Sequence, residues 1–239
     1  LTTPPPSSKD PSDRTITALA ECQAKFGGIR LNLGSAALAF VPFEVKQLSD
    51  LKILNLRNNA LTMFPSDLCA ALNDLEELNL AQNELTYLPE NISALSNLRS
   101  LSLSHNKISS LPMGLFALPA LQELRLDHNL LNDLPGQVGD LNVLHTLIIG
   151  HNHIRRIPIR ATELKFLSKV DLTGNPIDFC PPSVLVLHQK NELLLQKGKR
   201  RGLIKRSHLL KRTMDEQLEQ ILLKEDEEAE EERKKSEAR

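Results

Sequence analysis

The chain has 239 residues, with 29 Lys and Arg against 30 Asp and Glu and a formal net charge of −1. That balance excludes a polyanion binder acting through overall charge. Aromatic residues make up 3%, with no tryptophan and one tyrosine, Tyr87, too few for base-stacking platforms or aromatic cages.

Residues 1–12, with Pro4-Pro5-Pro6-Ser7-Ser8, have the composition of a disordered leader. A proline-rich ligand is the alternative, on only three prolines. Asp13 can cap a helix over 13–27, closed by Gly27-Gly28, which reads as an N-terminal cap over the elements that follow. The chain begins at Leu1 rather than methionine, which leaves an upstream segment open.

From 28 to 177 the sequence repeats. Asn59, Asn83, Asn106, Asn129, Asn152 and Asn175 recur at a first step of 24 residues and then at steps of 23. Each sits in one frame, for example Leu98-x-x-Leu101-x-Leu103-x-x-Asn106-x-Ile108, followed by Leu111-Pro112. In the unit from Leu121, Leu124 and Leu126 alternate with Arg125, so the leucines face one side of a strand and the arginine the other. Leu131, Leu134, Val138 and Leu141 supply the rest of a layer that only stacking on neighbours can bury. The asparagine amide is placed to satisfy backbone groups where the chain turns inward. Pro89, Pro112, Pro135 and Pro158 fall where an outer segment begins, which suits a fixed φ and a missing donor. The first unit is degenerate, with Ala36 in the asparagine position. The extra residue of the second unit lies in its outer segment, around Leu68-Cys69-Ala70-Ala71-Leu72.

This frame resembles that of the leucine-rich repeat family. The resemblance implies an α/β fold, a horseshoe-shaped solenoid of about seven repeats between an N-terminal helical cap and a C-terminal helical tail. It also implies a non-catalytic, cofactor-free scaffold for protein–protein interaction, with uses that include signalling. The Leu-Pro in most units and the closing Asn175-Pro176 with Pro181-Pro182 resemble the 23-residue cytoplasmic type, as in Ras-group and Ras-suppressor proteins. Cys22, Cys69 and Cys180 do not form the clusters that flank extracellular members, so the cytoplasm, with the nucleus as alternative, is the expected compartment. No apolar run approaches the about 18 residues of a membrane-spanning helix, and a monomer outside its complex is expected.

After the repeats, Ser183 is a candidate cap for a helix from Val184 to Gln196, closing the solenoid over 178–197. The tail, 198–239, is charged throughout. Lys199, Arg200, Arg201, Lys205, Arg206, Lys211 and Arg212, following Lys197, form a basic block suited to RNA phosphates or to nuclear import. A helix over 208–223 carries Leu210, Met214, Leu218, Ile221 and Leu222 on one stripe, ready for a second partner or for packing back on the chain. Acidic residues from Asp215 to Glu232 can neutralise the basic block.

No nucleophile motif, phosphate loop or zinc-ligand spacing is present, so no catalytic, cofactor-binding or metal residue is assigned. His105, His128 and His151, each just before its repeat asparagine, fall in one column, where strand spacing of about 4.8 Å brings them together. A metal site or pH-sensitive patch is one reading. The other is simple tolerance of histidine at a turn, since no carboxylate or cysteine is seen to complete a ligand set. The expected binding surface is the concave strand face, through Arg57, Glu77, Asn79, Ser102, Glu123, Arg125, Asp127 and Ile148. This surface is polar and of mixed charge, with arginines as the natural anchors. A structural subunit of a ribonucleoprotein, contacting RNA through 197–212, is the alternative function.

Overall fold

Alternating leucines bury one side of a short strand, and a strand of three residues is all each repeat devotes to the sheet. The computed structural model describes residues 29–189. The expected leader, the N-terminal cap helix, the closing helix beyond 189 and the charged tail lie outside the described residues.

Seven strands form one parallel sheet in chain order: β1 Arg30–Asn32, β2 Ile53–Asn55, β3 Glu77–Asn79, β4 Ser100–Ser102, β5 Glu123–Arg125, β6 Thr146–Ile148 and β7 Lys169–Asp171. The register superimposes the central residue of every strand, Leu31, Leu54, Leu78, Leu101, Leu124, Leu147 and Val170. None of these is more than 2% exposed. Each fully buried leucine of this kind contributes about 1.5–3 kcal/mol, and none is buried except by the repeats on either side.

The asparagines hold consecutive turns together. Asn129 Nδ2 donates to Leu103 O of the preceding repeat at 2.9 Å and to Leu126 O of its own at 3.0 Å. Its Oδ1 accepts from the Ile108 N–H at 3.0 Å. Asn83, Asn106, Asn152 and Asn175 repeat the pattern. Asn59 meets the degenerate first unit by accepting from both the Ala36 and Leu38 N–H groups. Each amide therefore satisfies at least three backbone groups, four in the case of Asn59, that would otherwise lack partners.

On the other side of the core each repeat turns through a proline into a short helix. Five of these are 3₁₀ segments of five residues, Phe43–Gln47, Glu90–Ala94, Met113–Ala117, Gly136–Asp140 and Ile159–Glu163. The second repeat has an α-helix of six residues, Ser66–Ala71. The extra residue expected there is taken up entirely by this change of helix type, and the β2–β3 register is undisturbed. Adjacent outer segments come close enough that a Cβ on Gly114 would lie 1.8 Å from Glu90 O, and one on Gly139 2.5 Å from Arg160 O.

The far edge of the sheet is covered by a helix at 182–189. It begins one residue before Ser183, with Pro182 in its first turn, so Ser183 lies inside the helix instead of capping it; a proline at that position gives up only an N–H that has no helical partner. Val184 is buried and Leu187 packs against the core. His188 Nδ1 accepts from the Leu172 N–H at 3.3 Å, supplying at the open edge the acceptor that a further strand would otherwise provide. No helix among the described residues is long and apolar enough to cross a membrane.

Candidate functional site: the concave groove and its histidine rim

The strand residues that alternate with the buried leucines line a groove of about 520 Å³. Of the residues expected on this face, Arg57, Glu77, Asn79, Ser102, Arg125 and Asp127 line it. Glu123 stands beside them, its Oε1 accepting from Arg125 Nε at 2.6 Å and its Oε2 from Ser100 Oγ at 3.3 Å. Ile148 is on the same face but only 8% exposed, so it offers little surface. Sequence alternation gives a side chain's direction, and the bulk of its neighbours decides its exposure.

The charges in the groove differ in how far they are already satisfied. Arg125 is held by Glu123. Arg57 donates only to the neutral Gln82 Oε1, at 3.0 Å, and neither Arg57 nor Glu77 joins an ion pair among the described residues. Asn55 and Asn79 are fixed by local bonds, their Oδ1 atoms accepting from the Arg57 and Ala81 N–H groups at 3.0 Å each. The face thus presents an ordered polar floor carrying a cation and an anion that join no ion pair among the described residues.

Along one rim the backbone ladder continues past the strands. The His105 N–H donates to Asp127 O at 2.8 Å and the His128 N–H to Gly150 O at 2.9 Å. At this position the chain is left-handed in successive repeats: φ is 56° at His105, 55° at His128, 54° at His151 and 69° at Gly174. Identical backbone sends the three imidazoles in the same direction. Their centroids lie 4.1 Å and 4.2 Å apart with 9° between planes. The column ends at Gly174, where a Cβ would come within 2.5 Å of His151 Nδ1. The left-handed backbone holds histidine in three other repeats, so at Gly174 the close approach of the His151 ring is what sets glycine apart, with the positive φ adding to it.

His128, in the middle, has its pKa pushed below the ordinary histidine value. Desolvation is the first cause and the charges of His105 and His151 add to it, while Asp127 and Asp171 oppose it. A carboxylate does accompany the column, which corrects the expectation that none completes a ligand set. Ligand atoms of His105, Asp127 and His128 all lie within 4.8 Å of one another, and Asp127 Oδ1 accepts from Ser104 Oγ. The signal available in the sequence was the adjacency of Asp127 and His128 read across one repeat to His105. Of the cysteines, Cys69 and Cys180 are free thiols, each pushed up to about 12 by burial, so neither is a ready nucleophile.

A parallel sheet built one strand per 23 or 24 residues, with short helices opposite it and an asparagine stapling each turn to the one before, defines an α/β solenoid. The leucine rich repeat family model matches residues 49–108 and 96–154, and the protein is a leucine-rich repeat protein. Two solved structures are similar to it. One is described as plant peptide hormone receptor RGFR1 in complex with RGF2, at 28% identity over 57% of this chain and 22% of that one, with a TM-score of 0.52. The other is a TDR receptor, at 28% identity over 57% of this chain and 24% of that one, with a TM-score of 0.53. The chain thus spans less than a quarter of the length of these structures. No curated protein matches it. Leucine-rich repeat domains generally mediate protein–protein interaction, and the family is typically a non-catalytic binding scaffold.

Proposed function

We propose that the chain is a non-catalytic scaffold of the 23-residue intracellular type, holding a protein or peptide partner on its concave face. The observation that carries this reading is the groove itself, which sets Arg57 and Glu77, in no ion pair among the described residues, beside residues already fixed by hydrogen bonds. Charges that join no ion pair among the described residues favour a ligand that brings complementary groups, and their burial by that ligand gives specificity. The complex of RGFR1 with RGF2 supports a peptide or protein as the class of ligand. The free thiols of Cys69 and Cys180 fit a reducing compartment, cytoplasm or nucleus, and signalling is the natural setting for such a scaffold. The basic block at 197–212 and the helix at 208–223 serve in this reading as a second contact.

The test is recovery of partners from lysate by the full chain, by Arg57→Ala and by Arg125→Ala, with and without RNase and across a salt series. Arg57→Ala should weaken capture more than Arg125→Ala, because Arg125 is already neutralised by Glu123. Capture unaffected by both variants, and lost with RNase or modest salt, would move the function to the basic block and to RNA.

A further inference from the structure

We propose that His105, Asp127 and His128 form a binding site for a divalent transition-metal ion of the zinc class on the rim of the concave groove. Theirs is a group of nitrogen and oxygen ligands gathered from two consecutive repeats, all atoms within 4.8 Å. The backbone on both sides is fixed, by the His105 N–H on Asp127 O and the His128 N–H on Gly150 O. The carboxylate is oriented by the Ser104 hydroxyl, the kind of supporting contact that tunes a ligating group. Two imidazoles and one carboxylate suit a borderline cation, whereas calcium and magnesium call for more oxygens. Three protein ligands leave a fourth position, and because His105 and Asp127 both line the groove that position is open to a partner's side chain. The proposal does not depend on the partner, because the metal is read in its absence.

The geometry dictates how binding would be seen. Zinc holds its ligands at about 2.0–2.2 Å, so ligand atoms on one tetrahedral ion lie roughly 3.3–3.5 Å apart. The lone pairs of two parallel rings 4.1 Å apart run side by side and do not converge, so one ring must swing out of the stack. His105 is the ring that can, because it is exposed and has an imidazole on one face only. His151 packs over Gly174 and stays where it is. Binding therefore separates His105 from His128 while leaving His128 on His151.

The experiment is titration of the reduced full chain with zinc, followed by calorimetry and by the imidazole proton resonances. His105→Asn, His128→Asn, Asp127→Asn and His151→Asn are run alongside, asparagine being the substitution that best tolerates the left-handed backbone. Thermal unfolding checks that each variant is folded. Wild type should take one equivalent in the micromolar range, with the ring-current shifts of His105 and His128 collapsing. Each of the first three substitutions should weaken binding by at least about tenfold, His151→Asn should leave it unchanged, and calcium should move nothing. Imidazole resonances that stay fixed in millimolar zinc overturn the proposal. So does zinc binding that survives His105→Asn and His128→Asn together, which would place the metal on the cysteines or elsewhere.

Discussion

Asn129 shows how one side chain can carry two repeats. Its amide closes bonds to Leu103 O, Leu126 O and the Ile108 N–H, and each buried backbone group left unpaired costs about 1–3 kcal/mol. Asn129→Ala should therefore lower stability by at least about 3 kcal/mol in urea unfolding, and Asn129→Asp should fare little better because a carboxylate has no N–H to donate. Gly174 offers a cleaner dissection. Gly174→Ala meets the His151 ring as well as an unfavourable φ of 69°, so it should cost more than the roughly 1–2 kcal/mol of a left-handed alanine. In a His151→Asn background the penalty should fall to that value, and a double-mutant cycle without coupling would remove the ring from the explanation. The buried thiols have a third consequence. Their values rise from 9.0 to about 12 on folding, so between those limits the folded chain keeps protons that the unfolded chain has lost. Their contribution is complete below about pH 9 and declines as the pH climbs toward 12. Urea midpoints should drop between pH 8 and 10.5, and the drop should shrink in Cys69→Ala.

At the scale of the element, the 23-residue frame tolerates change on one side of the core and not on the other. Ala70 is exposed on the α-helix Ser66–Ala71, and its deletion would restore the length of the 3₁₀ segments beside it. Loss of Ala70 should leave circular dichroism intact and cost no more than about 1–2 kcal/mol. Loss of Glu77, within β3, moves every later leucine of that strand to the opposite face and should abolish cooperative unfolding. The same contrast explains what was legible in the sequence. The leucine and asparagine periods, the outer helices, the extra residue of the second unit and the histidine column all follow from spacing within one frame. What escaped depends on groups brought together from different frames or different elements. Asp127 joins His105 only across repeats, and His188 reaches Leu172 from a separate helix with no local signal. Ser183 gave way to Pro182 because a proline and a serine are both acceptable near a helix start, and their order does not decide which. Ile148 carries no mark of its burial, which is set by its neighbours' volume.

For the solenoid as a whole, stability is a sum over neighbours. Every asparagine staple spans one repeat and no more, so repeats near the middle are held on two sides and those at the ends on one. The consequence is mechanical. A chain pulled from its termini has no contact that shears the whole sheet at once; the load reaches the staples one after another, and the outermost turn yields while the rest stays folded. Each turn released would lengthen the tether by about 80 Å, the reach of 23 residues at roughly 3.5 Å apiece. Single-molecule extension should show a series of steps near that length, the second repeat giving one slightly longer, and a single rupture spanning the whole array would contradict it. In such an array the asparagine is a ratchet tooth, and the molecule measures out its own length under tension.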